Sequence, residues 1–83
     1  MFINFYDELE MIDELKQRVG ELVVLHYECE DCGTDQVTDE LEITSDMIDD
    51  LQADGYFMCS WPCTDCGANT KFMRTDMMRG IEY

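Results

Sequence analysis

Apolar residues recur at helical spacing through the first twenty positions. Phe5, Leu9, Ile12 and Val19, with Leu15 nearby, fall on one stripe, which predicts an amphipathic helix over residues 5–19. Asn4 is placed to cap it, and Asp7 and Glu8 lie in its first turn, where acids complement the helix dipole. Gly20 follows where a closing glycine belongs. Glu14 and Arg18, four apart, are spaced for an ion pair on the wet side. A stripe of this kind packs on a small core or, exposed, docks a partner.

The period then changes. Leu22 to Cys29, which opens with four apolar residues and leads into the first cysteine pair, predicts a strand. Residues 36–44 alternate, with Val37, Leu41 and Ile43 on one side and Gln36, Thr38, Glu40 and Glu42 on the other. Asp39 interrupts the apolar side, but the pattern remains that of a half-buried strand. Asp46 to Ala53 predicts a short helix, with Ser45 as its cap and Gly55 at its end. Tyr56 to Trp61 and Thr70 to Arg74 predict a second strand pair, and Met77 to Tyr83 is too short for the pattern to assign. Met73, Met77 and Met78 form a flexible docking patch, the edge of the core or a frayed tail.

Cysteines occupy both strand-to-strand connections. Cys29-Glu30-Asp31-Cys32-Gly33 and Cys63-Thr64-Asp65-Cys66-Gly67 share one local pattern. Two intervening residues let both sulfurs of a tight turn converge on a tetrahedral metal, and the following glycine relieves the backbone where its amides bend toward sulfur. A chain of 83 residues forms one domain, 1–83, of a size that often leans on a metal or another staple. Five cysteines, an odd number, fit a metal site better than a closed disulfide framework. Cys59 is the spare, expected as a small buried hydrophobe, with a redox or partner-linked thiol as the alternative. His26, the only histidine, is expected to be a structural or surface residue rather than a ligand.

These residues resemble the zinc-ribbon and rubredoxin-like class, in which two such knuckles at hairpin ends share one ion. The resemblance covers roughly residues 22–75 and rests on the two cysteine motifs. It implies a zinc ribbon of two β-hairpins. The N-terminal helix lies outside the resemblance, and the segment between the knuckles is longer than in the simplest ribbons. With that helix packed on the ribbon and a short helix between the knuckles, the expected fold is a small α+β domain. The resemblance also implies one ion held by Cys29, Cys32, Cys63 and Cys66. Four thiolates leave no open coordination position, so the ion is expected to be structural Zn2+ and the protein not an enzyme. The same ligands bind iron. An iron electron carrier of rubredoxin type is therefore an alternative, supported by Tyr27, Trp61 and Pro62 ahead of the knuckles and by the 30 residues between Cys32 and Cys63. Thr34 and Thr64 stand where that class carries an aromatic and a proline.

Charge shifts attention from the metal to its surroundings. Twenty acids face five bases, a net charge of −15, or about −17 once four thiolates hold a divalent ion. No lysine or arginine lies between Val19 and Thr70, while thirteen acids do. Glu28, Glu30, Asp31 and Asp35 ring the first knuckle; Asp39, Glu40 and Glu42 follow; Asp46, Asp49, Asp50 and Asp54 lie on or beside the second helix. Such a chain repels nucleic acid and anionic membrane and attracts basic partners. The leading expectation is a module that binds a basic protein as a nucleic-acid mimic, in the style of small acidic phage inhibitors of nucleic-acid-processing enzymes. Lys71, Arg74 and Arg79, with Phe72 among them, form a small basic island that makes direct nucleic-acid binding a further alternative. The N-terminal stretch has neither the basic nor the apolar region of a signal peptide, and Leu22 to Leu25 is far too short to span a bilayer. The cytoplasm, or a host's cytoplasm for a viral protein, is the expected compartment.

Overall fold

In the computed structural model, which describes all 83 residues, both helices begin at a side-chain cap. Helix α1 (Glu8–Gln17) starts after Asp7, whose carboxylate accepts the Glu10 N–H at 2.7 Å. Helix α2 (Ser45–Asp54) starts after Thr44, whose hydroxyl accepts the Met47 N–H at 3.2 Å. Each cap satisfies one of the amides that a helix start leaves unpaired. Gly55 closes α2 in the left-handed conformation, φ +80°, and its N–H returns to the Leu51 carbonyl.

Helix α1 is shorter than the pattern over 5–19 predicts, because the residues before it are used elsewhere. Phe2–Asn4 form strand β1, so Asn4 belongs to a sheet edge and Asp7 becomes the cap. The buried face is Met11, Ile12 and Leu15. Leu9 is 80% exposed and Val19 also faces solvent, so the stripe turns by one position towards Met11. The Glu14–Arg18 pair forms at 3.3 Å.

Strand β2 (Leu22–Glu28) buries Val23, Leu25 and Tyr27 and half-exposes the residues between them. Cys29 continues the inward parity. Strands β3 (Asp35–Val37) and β4 (Leu41–Glu42) pair with the two ends of β2 along the same edge. The single strand expected over 36–44 is broken between them. Thr38 makes the break: its N–H donates to the Leu25 carbonyl, and its hydroxyl accepts the Leu25 N–H at 3.0 Å. The parity of the first half is inverted as a result. Gln36 and Thr38 are buried while Val37 is 58% exposed; Ile43, as expected, is in the core.

Strands β5 (Tyr56–Pro62) and β6 (Asn69–Arg74) form a separate antiparallel pair. Strand β7 (Met78–Glu82) lies between β1 and β2, completing a five-stranded antiparallel sheet in the order β1-β7-β2-β3 with β4 on β2. Gly80 admits β1, because a Cβ there would collide with the Ile3 carbonyl and the Phe2 ring. The Phe2 ring instead crosses to meet His26 edge-on, 4.6 Å between centroids.

The core lies where both helices meet the two sheets. Met47, Ile48 and Leu51 of α2 join the α1 face, the inward β2 residues, Phe57, Met73, Met77, Met78 and Ile81. The three C-terminal methionines are thus core, not a surface patch. The fold is a small α+β domain of two helices and antiparallel sheets, in which the first hairpin of the expected ribbon is built into a larger sheet. No helix is long and apolar enough to cross a membrane.

Candidate metal centre

The two cysteine motifs form two hairpin turns with matching backbone bonds. In the β2–β3 turn, the Cys29 N–H donates to the Thr34 carbonyl at 2.9 Å and the Gly33 N–H to the Cys29 carbonyl at 2.8 Å. In the β5–β6 turn, the Cys63 N–H donates to the Ala68 carbonyl at 2.8 Å and the Gly67 N–H to the Cys63 carbonyl at 3.0 Å. Gly33 and Gly67 hold φ of +73° and +76°, a region that costs side-chain-bearing residues steric strain. The repeat of sequence is therefore a repeat of conformation.

Each turn supplies one buried cysteine, Cys29 or Cys63, and one exposed cysteine, Cys32 or Cys66. The Cys29 and Cys66 sulfurs are 3.7 Å apart, those of Cys32 and Cys63 3.6 Å, and all four lie within 4.8 Å of one another. A tetrahedral ion with metal–sulfur bonds near 2.3 Å needs sulfur–sulfur edges of about 3.8 Å. The four cysteines can hold a metal ion, and the donor set suits zinc or iron.

The acid–base balance of the cluster fits a cation. The Cys66 N–H, followed by that of Asp65, pulls the Cys63 thiol down to about 6. The Thr34 hydroxyl and N–H pull Cys32 down. At Cys66 the Ala68 N–H acts in the same direction, but the neighbouring Cys63 sulfur, burial and the other two sulfurs outweigh it and push the thiol up to about 12. Sulfurs this close cannot all ionise unless a positive charge sits among them.

Gln36, which the alternating pattern places on a polar strand face, holds the two turns together. Its Nε2 donates to the Thr34 hydroxyl at 3.1 Å and to the Asp65 carboxylate at 3.0 Å. Its Oε1 accepts the Thr64 N–H at 3.2 Å and the Thr64 hydroxyl at 3.0 Å. Both donors and both acceptor positions of the amide are used. The Thr34 hydroxyl lies 3.0 Å from the Cys32 sulfur, so the bridge reaches a ligand atom. The inverted parity of β3 is what aims Gln36 inward. In sequence, only its position four residues after Cys32 marked it.

Tyr27 packs beneath the cluster with its hydroxyl buried and unpartnered. Burial pushes its pKa up; the Thr70 hydroxyl opposes this without reaching hydrogen-bonding geometry, and the Cys63, Cys29 and Cys59 thiols add to the rise. Cys59 stays outside the cluster, half-buried, its thiol donating to the Thr70 carbonyl at 3.4 Å and pushed up by burial. His26 pairs with Glu82 at 3.1 Å and takes no part.

The acids divide into two groups. Glu30 pairs with Arg74 at 3.0 Å, and Glu28 pairs with Arg79. Arg74 also meets Asp76 at 3.2 Å. Two of the three cations in the basic island are thereby engaged by carboxylates, leaving Lys71 without an ion pair. Asp31, Asp35, Asp39, Glu40, Glu42, Asp46, Asp49, Asp50 and Asp54 are all exposed, and none is within ion-pair distance of a cation.

Comparison with models of known protein families, with curated proteins and with solved structures gives no match to this chain.

Proposed function

We propose that Cys29, Cys32, Cys63 and Cys66 hold one structural Zn2+ in a zinc-ribbon centre. The domain so formed acts as a non-enzymatic, acidic module that engages a basic protein. The observation that carries this is the set of nine exposed carboxylates without an ion-pair partner on the first knuckle, the 38–42 segment and α2. Their charge is uncompensated within the fold and available to a partner. Fixed on a small rigid domain, they suit the basic groove of a nucleic-acid-processing protein, where they would stand in for backbone phosphates. A filled four-thiolate site supplies no water or open position for catalysis.

The test uses the zinc-loaded protein as a competitor for labelled duplex DNA bound to a panel of sequence-nonspecific DNA-binding proteins. Displacement of DNA from at least one of them, weakening steeply as salt rises from 50 to 300 mM, is expected from screening. Displacement that ignores salt, or none from any member of the panel at low salt, would remove charge mimicry.

A rubredoxin-type iron centre is the second reading, favoured by the exposure of Cys32 and Cys66, through which an electron could enter. Elemental analysis with a visible spectrum separates the two. One equivalent of zinc without colour supports the first; one of iron with a reducible charge-transfer band supports the second.

A further inference from the structure

A groove of about 340 Å3 opens between β4, the start of α2 and β5. Its floor is apolar, formed by Leu41, Met47, Phe57 and Trp61. Its rim carries Glu42, Asp46 and Asp50, and no lysine or arginine lines it. All three carboxylates are exposed and lack an ion-pair partner. The indole Nε1–H of Trp61 is buried and has no acceptor anywhere in the fold.

The apolar surface does not end at the groove. Met58, at the lip, is 75% exposed. Across the hairpin it pairs with Phe72, which is also exposed and meets Tyr56 edge-on at 5.3 Å between centroids. A solvated face that served solubility alone would not line its recess with aromatic and thioether side chains.

We infer that this groove is the docking site for a partner segment that presents one apolar side chain flanked by arginine or lysine. The inference rests on the basic-partner reading above and adds the place and the anchor. Charge selects the occupant: three carboxylates around an apolar floor favour a cationic amphipathic segment. A second copy of this chain would bring the same carboxylates against each other on molecules of net charge −15. The volume lies at the lower end of ligand pockets and suits an apolar side chain rather than a whole helix. An arginine beside that anchor can lie against the indole of Trp61, the best aromatic partner for a cation. Hot spots of this kind combine a buried anchor with a charged rim that guides approach.

Trp61 is the only tryptophan and therefore reports on the groove directly. The experiment titrates the zinc-loaded protein with two synthetic ten-residue peptides of equal positive charge and no tryptophan. One carries a single central leucine and the other a serine in its place. Tryptophan fluorescence and amide chemical shifts are followed. The amphipathic peptide is expected to bind at least tenfold more tightly and to shift Trp61 emission. Met58→Ser, a change at an exposed position, is expected to reduce binding of the amphipathic peptide alone. Glu42→Lys combined with Asp50→Lys is expected to weaken both peptides.

Equal affinity for the two peptides would overturn the groove while leaving the general charge reading standing. Amide shifts confined to residues outside the groove would have the same consequence. Binding of neither peptide at low salt would remove both. Self-association of the zinc-loaded protein through this face, seen in sedimentation, would assign the groove to a second copy and overturn the inference.

Discussion

Replacing Gln36 by leucine keeps roughly the volume of the side chain and removes every polar contact it makes across the two knuckles. Four hydrogen bonds are lost, to the Thr34 hydroxyl, the Asp65 carboxylate, and the N–H and hydroxyl of Thr64. At about 1 kcal/mol net for each, the upper figure is about 4 kcal/mol. Thr64 and Asp65 are exposed and regain water when released, which lowers the expected loss to about 2–3 kcal/mol. Because the bridge joins the two halves of the metal centre, the cost should appear mainly in how tightly the cysteines hold the ion. At 1.4 kcal/mol for each factor of ten, it corresponds to roughly 30- to 150-fold in metal affinity, at and just above the upper end of the roughly 10- to 100-fold found for other partners of metal ligands. A competition between the protein and a zinc-binding dye at constant pH measures this. Cobalt substitution, read by its ligand-field bands, reports whether the tetrahedron itself is distorted. Gln36→Glu is the companion variant: it keeps acceptors for Thr64 but loses both donors and sets a charge against Asp65. It should therefore also hold zinc more weakly. Wild-type affinity and an unchanged cobalt spectrum in Gln36→Leu would show that the knuckles position themselves without the bridge.

Three further outcomes follow from the same geometry. Cys32→Ser should abolish the cooperative thermal transition, since metal binding worth about 10–16 kcal/mol in zinc-finger peptides is comparable with the whole stability of a small domain; a retained sharp transition would count against the metal assignment. Gly80→Ala forces a side chain into the Ile3 carbonyl and the Phe2 ring and should cost about 1–3 kcal/mol, with amide exchange speeding up at Ile3 and Asn4 while α2 keeps its protection. Metal affinity should fall as pH falls, because protons and the ion compete for the same sulfurs. With the metal-free Cys66 thiol held up to about 12 and Cys63 drawn down to about 6, loading at pH 7 must release protons. Calorimetry in buffers of different ionisation enthalpy counts them, and a count of zero would contradict a thiolate site.

Features determined by neighbours along the chain were legible in the sequence. The two knuckles are local: a pair of cysteines three apart followed by glycine predicts a turn, and both turns form. Helix α2 was nearly as plain, because cap candidates, an apolar face and a closing glycine all lie within a dozen residues, although the cap is Thr44 and the expected Ser45 is the first helical residue. The strand over Leu22–Glu28 followed too, although which side faces the core did not, since four apolar residues in succession carry no alternation. That Cys29 and Cys32 would meet Cys63 and Cys66 also followed from sequence, since one knuckle supplies only half of a tetrahedral ligand set.

Other features depended on what the chain meets in space. Strands β1 and β7 are three and five residues long, too short for a period to show. They form because Gly80 lets residues nearly eighty positions apart lie side by side. Once Phe2–Asn4 were committed to that edge, α1 had to start at Asp7 and turn its face from Leu9 towards Met11. The alternation over 36–44 pointed the wrong way in its first half because Thr38 can replace a ladder bond with its hydroxyl, and this breaks the strand and turns Gln36 inward. Sequence could show where the acids lie, but not that, of the eleven around the first knuckle, the 38–42 segment and α2, Glu28 and Glu30 hold two of the arginines while the other nine remain free. Hydrogen-bond and ion-pair partners are chosen by position in three dimensions. A polar side chain carries no mark along the chain of whether water or another residue will satisfy it.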